Sequence, residues 1–231
     1  MGDGFSSHLS ESSRAVTSGA LVGDLQIANV AIRSHSNKKI ANPGSVRKRL
    51  FDIVMATLAL GVLIVPLFVV WLAVRLTSRG PGLYWSRRVG LDGRFFWMPK
   101  FRTMTLEAPE VARENLTGAT SHITSIGGFL RRWSIDELPQ FWCVLTGEMS
   151  FIGPRPLLPN DPGQLARYDF PAALHVRPGL GGLSQVRGRN LLTPRRKARL
   201  DALYARARTG TLDLEICFRT LQTMVSGRGH I

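Results

Sequence analysis

IVMATLALGVLIVPLFVVWLAV, from Ile53 to Val74, is a run of 22 residues without a charge. A run of roughly 18 or more such residues is long enough for a membrane helix. Pro66 divides it. A proline inside a helix withholds a backbone donor and its ring crowds the preceding turn, so the helix bends there. The part before Pro66 gives about 20 Å of helix and the part from Pro66 onward about 14 Å. Neither crosses a hydrocarbon core of about 30 Å. Arg47, Lys48 and Arg49 precede the run, and Arg75, Arg79, Arg87 and Arg88 follow it. A spanning helix carries its Lys/Arg excess on one side. Here both ends are basic, so both favour the same face. A helix that enters, bends at Pro66 and returns satisfies this. The competing readings are a kinked span and the buried core helix of a soluble protein. Asp52, at the start of the run, pairs with Arg49 or sits at the membrane surface.

Charge extends this picture to the rest of the chain. Among 231 residues, 30 Lys and Arg stand against 16 Asp and Glu, a net charge of +14. Residues 1–46 carry four basic and three acidic residues, so nearly all the excess lies beyond them. Such an excess points to phosphate-bearing partners: nucleic acid, anionic lipid or nucleotides. The length suffices for one core and little more. Cys143 and Cys217 form no C-x-x-C pair, lie among apolar residues and read as buried thiols, in keeping with a reducing cytoplasm. The polar start of the chain lacks the basic n-region and continuous apolar run of a secretory signal. Three regions follow: a disordered polar extension over 1–45, a re-entrant membrane helix hairpin over 46–78, and a cytoplasmic domain over 79–231 that holds the remaining motifs.

Within that last region the fold class reads as mixed α/β and mainly helical, with a short antiparallel β element and interfacial amphipathic helices. Gly80-Pro81-Gly82 is a turn, and Asp92-Gly93 is the tight turn of a hairpin with strands near Tyr84–Val89 and Arg94–Pro99. Pro109 to Leu116 reads as a short helix or lid. A helical stretch, Ile126 to Trp133, leads into an apolar helix, Leu138 to Leu145. Four prolines between Gly153 and Pro162 make a rigid loop. Thr193 and Pro194 open a helix as N-cap and first residue. Leu200, Leu203, Tyr204 and Ala207 fall on one of its faces, with Arg195, Arg196, Lys197, Arg199, Arg206 and Arg208 around them. This pattern fits a membrane-surface helix, or an ordinary solvated charged face. Leu212 to Val225 is a second helix, placed in the core or at the interface.

The chemistry concentrates in two strings, Ser134-Ile135-Asp136-Glu137-Leu138-Pro139-Gln140 and Gly153-Pro154-Arg155-Pro156. Adjacent carboxylates among fixed cations suit Mg²⁺ and attack on a phosphate. Ser134-x-x-Glu137 is equally a capping box, with both acids complementing a helix dipole. The two readings are compatible, because a helix start also holds phosphate. Pro154 and Pro156 restrict the backbone around Arg155, which preorganises its planar fork for a phosphate; a structural turn with an exposed arginine is the alternative. His122 and His175 lack metal-ligand spacing and read as structural or exposed. No Walker A and no G-x-G-x-x-G is present, so any bound nucleotide would be held by other devices.

SIDELPQFWCVLTGEMSFIGPRP resembles the signature of the bacterial sugar transferases, the monotopic polyprenol-phosphate phosphoglycosyl transferases that initiate polysaccharide and glycoconjugate assembly. Lys100-Phe101-Arg102-Thr103-Met104 upstream, and Arg177-Pro178-Gly179-Leu180 and Gln185-Val186-x-Gly188-Arg189 downstream, extend the resemblance from about Val46 to the C-terminus. It implies a re-entrant membrane helix bent at Pro66, where the family's usual Ser-Pro reads Val65-Pro66. It implies a UDP-sugar donor, an undecaprenyl phosphate acceptor, membrane lipid as surroundings and no nucleic acid. The place would be the cytoplasmic face of the bacterial inner membrane. Asp136 would be the nucleophile, with Glu137 and Asp136 at Mg²⁺. Arg131, Arg155, Pro154, Pro156, Lys100, Arg102, Arg88, Gln185 and Arg189 would form the phosphate and substrate site. Asp201, Tyr204 and Asp213 continue the resemblance. Gly181-Gly182-Leu183-Ser184-Gln185 departs from the family's usual pattern, so no particular sugar follows. The rival is a membrane-anchored basic protein that binds anionic lipid or nucleic acid without catalysis. It accounts for the charge and the apolar run, but not for Asp136-Glu137 together with the Arg155 loop.

Overall fold

The structure, a computed structural model, describes residues 45–108, 122–188 and 191–226, the last three through their backbone alone. The extension expected before residue 45, the short helix or lid expected at Pro109–Leu116, and Arg189 lie outside the described residues.

Helix α1 spans Val46–Thr77. The hydroxyl of Ser45 accepts from the Lys48 N–H at its start, and the Ser78 N–H and hydroxyl both donate to the Val74 carbonyl at its end. Pro66 lies inside the helix without interrupting it, so two separate helices are not what forms. A proline withholds one intrahelical bond, and the apolar turns on either side keep theirs. The middle of α1 is bare: Val62 is 77% exposed and Val65 67%.

Both ends of α1 are fastened to the same globular body. At the first, Arg49 donates to the carbonyls of Val144 and Leu145 at 2.6 and 2.7 Å, and Lys48 pairs with Asp213 at 2.8 Å. Asp52 is buried, and although its charge acts on Arg49, its hydrogen bonds come from elsewhere. It accepts from the Ser150 hydroxyl and the Phe151 N–H at 3.1 and 3.2 Å. Ala56 then enters a core with Phe96, Met98, Cys143 and Met149. At the other end Val74 is buried with Phe101 and Leu130, and Leu67 and Val70 pack at the edge. Trp71 lies so close to Gly82 that a Cβ there would stand 2.6 Å from its ring.

Strands β1 (Leu83–Val89) and β2 (Phe95–Phe101) pair antiparallel, Leu83 opposite Phe101 and Val89 opposite Phe95. Asp92 and Gly93, with φ of 54° and 75°, make the expected tight turn, closed by the Arg94 N–H on the Leu91 carbonyl. Helix α2 (Gly127–Arg132), a 3-10 segment (Ile135–Gln140) and α3 (Phe141–Thr146) follow. Strand β3 (Ser150–Ile152) pairs parallel with β4 (Gly179–Gly181). Between them come α4 (Pro162–Arg167) and a 3-10 turn (Pro171–Leu174). The backbones approach closely at the ladder's end: a Cβ on Gly153 would stand 2.3 Å from the Arg177 carbonyl oxygen, so only glycine fits.

Short helix α5 (Leu183–Val186) leads to α6 (Pro194–Ala207) and α7 (Gly210–Ser226). Thr193 caps α6 as expected, accepting from the Arg196 N–H. The rest of α6 departs from expectation. Ala198, Asp201, Ala202, Tyr204 and Ala205 are buried against protein, so its inner stripe faces the core and not a membrane surface. Tyr204 donates to Ile152 and Asp213, which joins it to Lys48 of α1. The uncovered apolar stripe belongs to α7, where Leu214, Phe218 and Leu221 are exposed opposite the buried Ile216. Cys143 is buried and its thiol is pushed up to about 12, by burial and then by Glu148; Cys217 is only half-buried.

Candidate active site

The capping box does not form. Ser134 takes a left-handed backbone, φ 54° and ψ 22°, and makes no side-chain cap. Its carbonyl instead accepts the Glu137 N–H at 3.2 Å. The chain runs as the tighter 3-10 form over Ile135–Gln140, with Pro139 inside it, and becomes α-helical at α3. The expected helix from Leu138 to Leu145 therefore divides in two. This turn carries Asp136 and Glu137, both half-buried.

Glu137 is where the separate sequence motifs meet. Its Oε1 accepts from Lys100 Nζ of β2 at 3.1 Å and from Arg155 Nη2 at 2.6 Å. Arg155 stands in the loop after β3 between the buried Pro154 and Pro156. Arg88 of β1 lies in the field of Arg155 and Glu137, and its Nε is buried. Burial works against the Glu137 charge, but Arg155 and Lys100 outweigh it and hold the carboxyl well below the usual glutamate range. Burial lowers Lys100, as does Arg155, while Glu137 and Asp136 draw it back up. Asp136 is thus within reach of the Lys100 charge. Arg88 is lowered by burial and then by Arg155.

Two other expected site residues, Arg102 and Gln185, make their contacts elsewhere. Arg102 is buried and its guanidinium holds the carbonyls of Ser78 and Arg79 and the Ser78 hydroxyl, at the C-terminus of α1. It is a strut between the end of β2 and the end of α1. Gln185 turns its amide to the Leu180 carbonyl at 3.4 Å. Arg131 occupies the last turn of α2, half-buried, and its carbonyl accepts the Ser134 N–H.

Arg167, absent from the sequence-based set, is buried in α4. It donates from Nε and Nη2 to Asp201 Oδ2 at 3.1 and 2.6 Å, from Nη1 to Gln164 at 3.2 Å, and from Nη2 to the carbonyl of Arg155 at 2.9 Å. Ser184 donates to the other oxygen of Asp201 at 2.7 Å. The available signal was Asp201, an acid on the inner face of an otherwise basic helix.

Among the described residues no group of three or more His, Cys, Asp or Glu gathers as a metal cage. His175 is exposed and pairs with Asp92, and His122 stands beside Thr105. Mg²⁺ needs no such cage: it uses one or two carboxylates, waters and substrate phosphates. Asp136 and Glu137 fit that donor set.

A strand lysine and a proline-clamped arginine converging on one carboxylate, next to a second acid, on a body fastened to an apolar helix, define a membrane-associated anion-handling site. The chain matches the family model described as bacterial sugar transferase over residues 44–227, and it belongs to that family. It is 39% identical over 194 residues to an undecaprenyl-phosphate glucose phosphotransferase of Komagataeibacter xylinus, covering 79% of this chain and 36% of that one. It is 35% identical over 204 residues to the exopolysaccharide production protein ExoY of Rhizobium meliloti (strain 1021), covering 80% of this chain and 88% of that one. With an undecaprenyl-phosphate galactose phosphotransferase of Salmonella typhimurium it shares 34% identity, over 79% of this chain and 41% of the relative. The chain therefore spans under half the length of two of these relatives and most of the third.

Proposed function

We propose that this transferase moves a sugar 1-phosphate from a UDP-sugar to undecaprenyl phosphate, at the cytoplasmic face of the bacterial inner membrane. The convergence of Lys100 and Arg155 on Glu137 beside Asp136 carries the reading. Asp136, a carboxylate, needs no deprotonation to act as nucleophile. An oxygen of Asp136 bonds to the sugar-linked phosphorus, the bond to the other phosphate breaks, and UMP leaves with the electron pair. An oxygen of the polyprenol phosphate then attacks that phosphorus, and the bond to Asp136 breaks. Arg155, Lys100 and Arg88 hold the phosphate oxygens while charge shifts among them. Arg131 stands one turn upstream for the same task. Mg²⁺, held by Glu137 and Asp136, would supply charge neutralisation on the diphosphate.

The attachment of α1 at both ends supports a re-entrant helix. A globular domain lies on one face of a membrane, so a helix joined to it through Arg49 and through Val74 enters and returns on that face. Ala56 and Val74 are about 27 Å apart along a straight helix. Met98 and Phe101, in the clusters that receive them, are only about 10 Å apart along β2. A bend at Pro66 reconciles the two spans.

Incubation with UDP-sugar and Mg²⁺ alone tests the chemistry. About one UMP per active site should be released, and intact-protein mass spectrometry should find phospho-sugar on the chain. Release that strictly requires polyprenol phosphate, with no adduct at any time, would replace two steps by direct transfer. Release of no UMP under any condition would favour a binding protein. Cysteine labelling near Ser45 and Thr77 in sealed vesicles should report one side; opposite sides would rule out the re-entrant helix.

A further inference from the structure

The β1–β2 hairpin has two unlike faces. Alternation and register put Ser86, Arg88, Phe96, Met98 and Lys100 on one side. There Ser86, Phe96 and Met98 are buried, and Arg88 and Lys100 reach the active site. On the other side Trp85, Arg87, Phe95 and Trp97 are exposed, while Val89 and Pro99 between and beside them are buried. Trp85, Phe95 and Trp97 are 47%, 52% and 58% exposed. The uncovered side of an antiparallel sheet in water is ordinarily polar. Single exposed apolar residues are commonplace, but a contiguous aromatic patch marks an interaction surface.

We propose that this face is a second membrane contact, resting in the headgroup layer of an anionic lipid surface. The inference rests on the membrane reading of α1 given above. The occupant follows from continuity. The same hairpin face ends at Leu83 and Phe101, which pack with Leu67, Val70 and Val74 of α1. The aromatic patch therefore continues the surface that the second half of α1 presents to lipid. Its chemistry agrees. Indole rings favour the boundary between acyl chains and headgroups, with an apolar body and one N–H donor. The Arg87 guanidinium stands 4.0 Å from the centre of the Phe95 ring, so its apolar plane is covered while its donors remain at the edge for lipid phosphate. The chain's net charge of +14 favours an anionic surface. A sheet resting on the membrane by one face fixes the height of its other face. Lys100 and Arg88 would then stand at the level of a lipid-linked phosphate.

Tryptophan quenching tests this with a built-in control, because Trp71 lies within α1. The intact chain is placed in phosphatidylglycerol-containing vesicles whose acyl chains are brominated near the headgroup. The quenched share of emission is compared for the native chain, W71F, W85F, W97F and W85F/W97F. Phenylalanine keeps an aromatic ring at each exposed site. Loss of quenched emission in W85F and W97F, as well as in W71F, is the expected result. Loss in W71F alone would overturn the hairpin contact and leave the membrane helix standing. No loss in any variant would remove the membrane reading itself. Emission of Trp85 and Trp97 that ignores bromine but shifts on dilution of the protein would assign the face to a second copy of the chain and overturn the lipid assignment.

Discussion

Two carboxylate–arginine clusters lie side by side in this molecule, and they are built on opposite terms. Asp201 and Arg167 are 2% and 4% exposed. Their charges balance, and both oxygens of Asp201 accept hydrogen bonds. Glu137 is 23% exposed, and one of its oxygens takes both Lys100 and Arg155, with Arg88 nearby. The first cluster is closed and neutral, which suits holding a shape. The second is open and carries more positive than negative charge, which suits receiving an anion. They are joined at a single carbonyl, since Arg167 donates to the backbone oxygen of Arg155. The closed cluster thereby positions the peptide that carries the arginine of the open one.

The largest expected effect separates chemistry from charge. Asp136→Asn should abolish UMP release and the covalent adduct, because an amide keeps the shape and loses the nucleophile. Folding should be largely retained, because Asn is isosteric with the half-buried Asp136. Full turnover by this variant would exclude Asp136 as nucleophile.

The second contrast exchanges the two acids. Asp201→Ala leaves a buried arginine without its counter-charge, a loss of about 3–5 kcal/mol. A protein of this size loses roughly 2–4 °C in Tm per kcal/mol. Glu137→Gln should cripple turnover and cost less stability than Asp201→Ala, because Glu137 and its two cations keep 19–33% of their side-chain surface in water, against 2–4% for Asp201 and Arg167. Equal thermal losses for the two variants would erase the distinction between a closed and an open cluster.

A smaller effect is expected at the arginine between them. Arg155→Ala should slow turnover by about 10²–10³, the usual loss for one stabilising donor at a developing charge. Arg155→Lys should recover part of it, since a lysine keeps the charge without the planar fork. Turnover within a factor of about two for Arg155→Ala would make Arg155 a structural residue.

The sequence made the open cluster more legible than the closed one. Asp136, Glu137, Lys100 and Arg155 stand in compact strings whose residue types already suggest phosphate chemistry, and the structure unites them. The hairpin turn at Asp92-Gly93 and the Thr193 cap were legible too, because each depends on a few neighbouring residues. Three features were not. Ser134-x-x-Glu137 has the local form of a capping box, yet Glu137 is claimed by cations from β2 and the Arg155 loop, and the backbone of Ser134 turns left-handed. Arg102 follows Lys100 at strand spacing, but β2 ends at Phe101, and beyond it the chain turns Arg102 to the end of α1. Helix α6 has the charge of a surface element, but its alanines permit close packing, and Asp201 finds Arg167 inside. In each case a residue distant in the chain decides the outcome.

The smallest effect concerns pH and tests whether burial tunes the open cluster. Burial lowers Lys100 below the ordinary lysine range, and Glu137 restores only part of the shift. As pH rises, Lys100 therefore loses its proton earlier than an exposed lysine would. Glu137 stays ionised throughout, because its carboxyl is held well below the usual range. Its contribution to stability is present above the unfolded value of about 4.3 and is lost as pH falls through the lower folded value. Acid thus leaves the cluster intact through the ordinary carboxylate range, and alkali opens it from the Lys100 side. The alkaline limb of kcat/KM should lie below about 10.4, the value of an ordinary lysine. Lys100→Arg replaces the titrating group by a guanidinium that stays charged above about pH 12. That limb should then move to higher pH even if the absolute rate falls. An alkaline limb unmoved by Lys100→Arg would show that another group sets it, and that Glu137 keeps its catalytic setting through Arg155 alone.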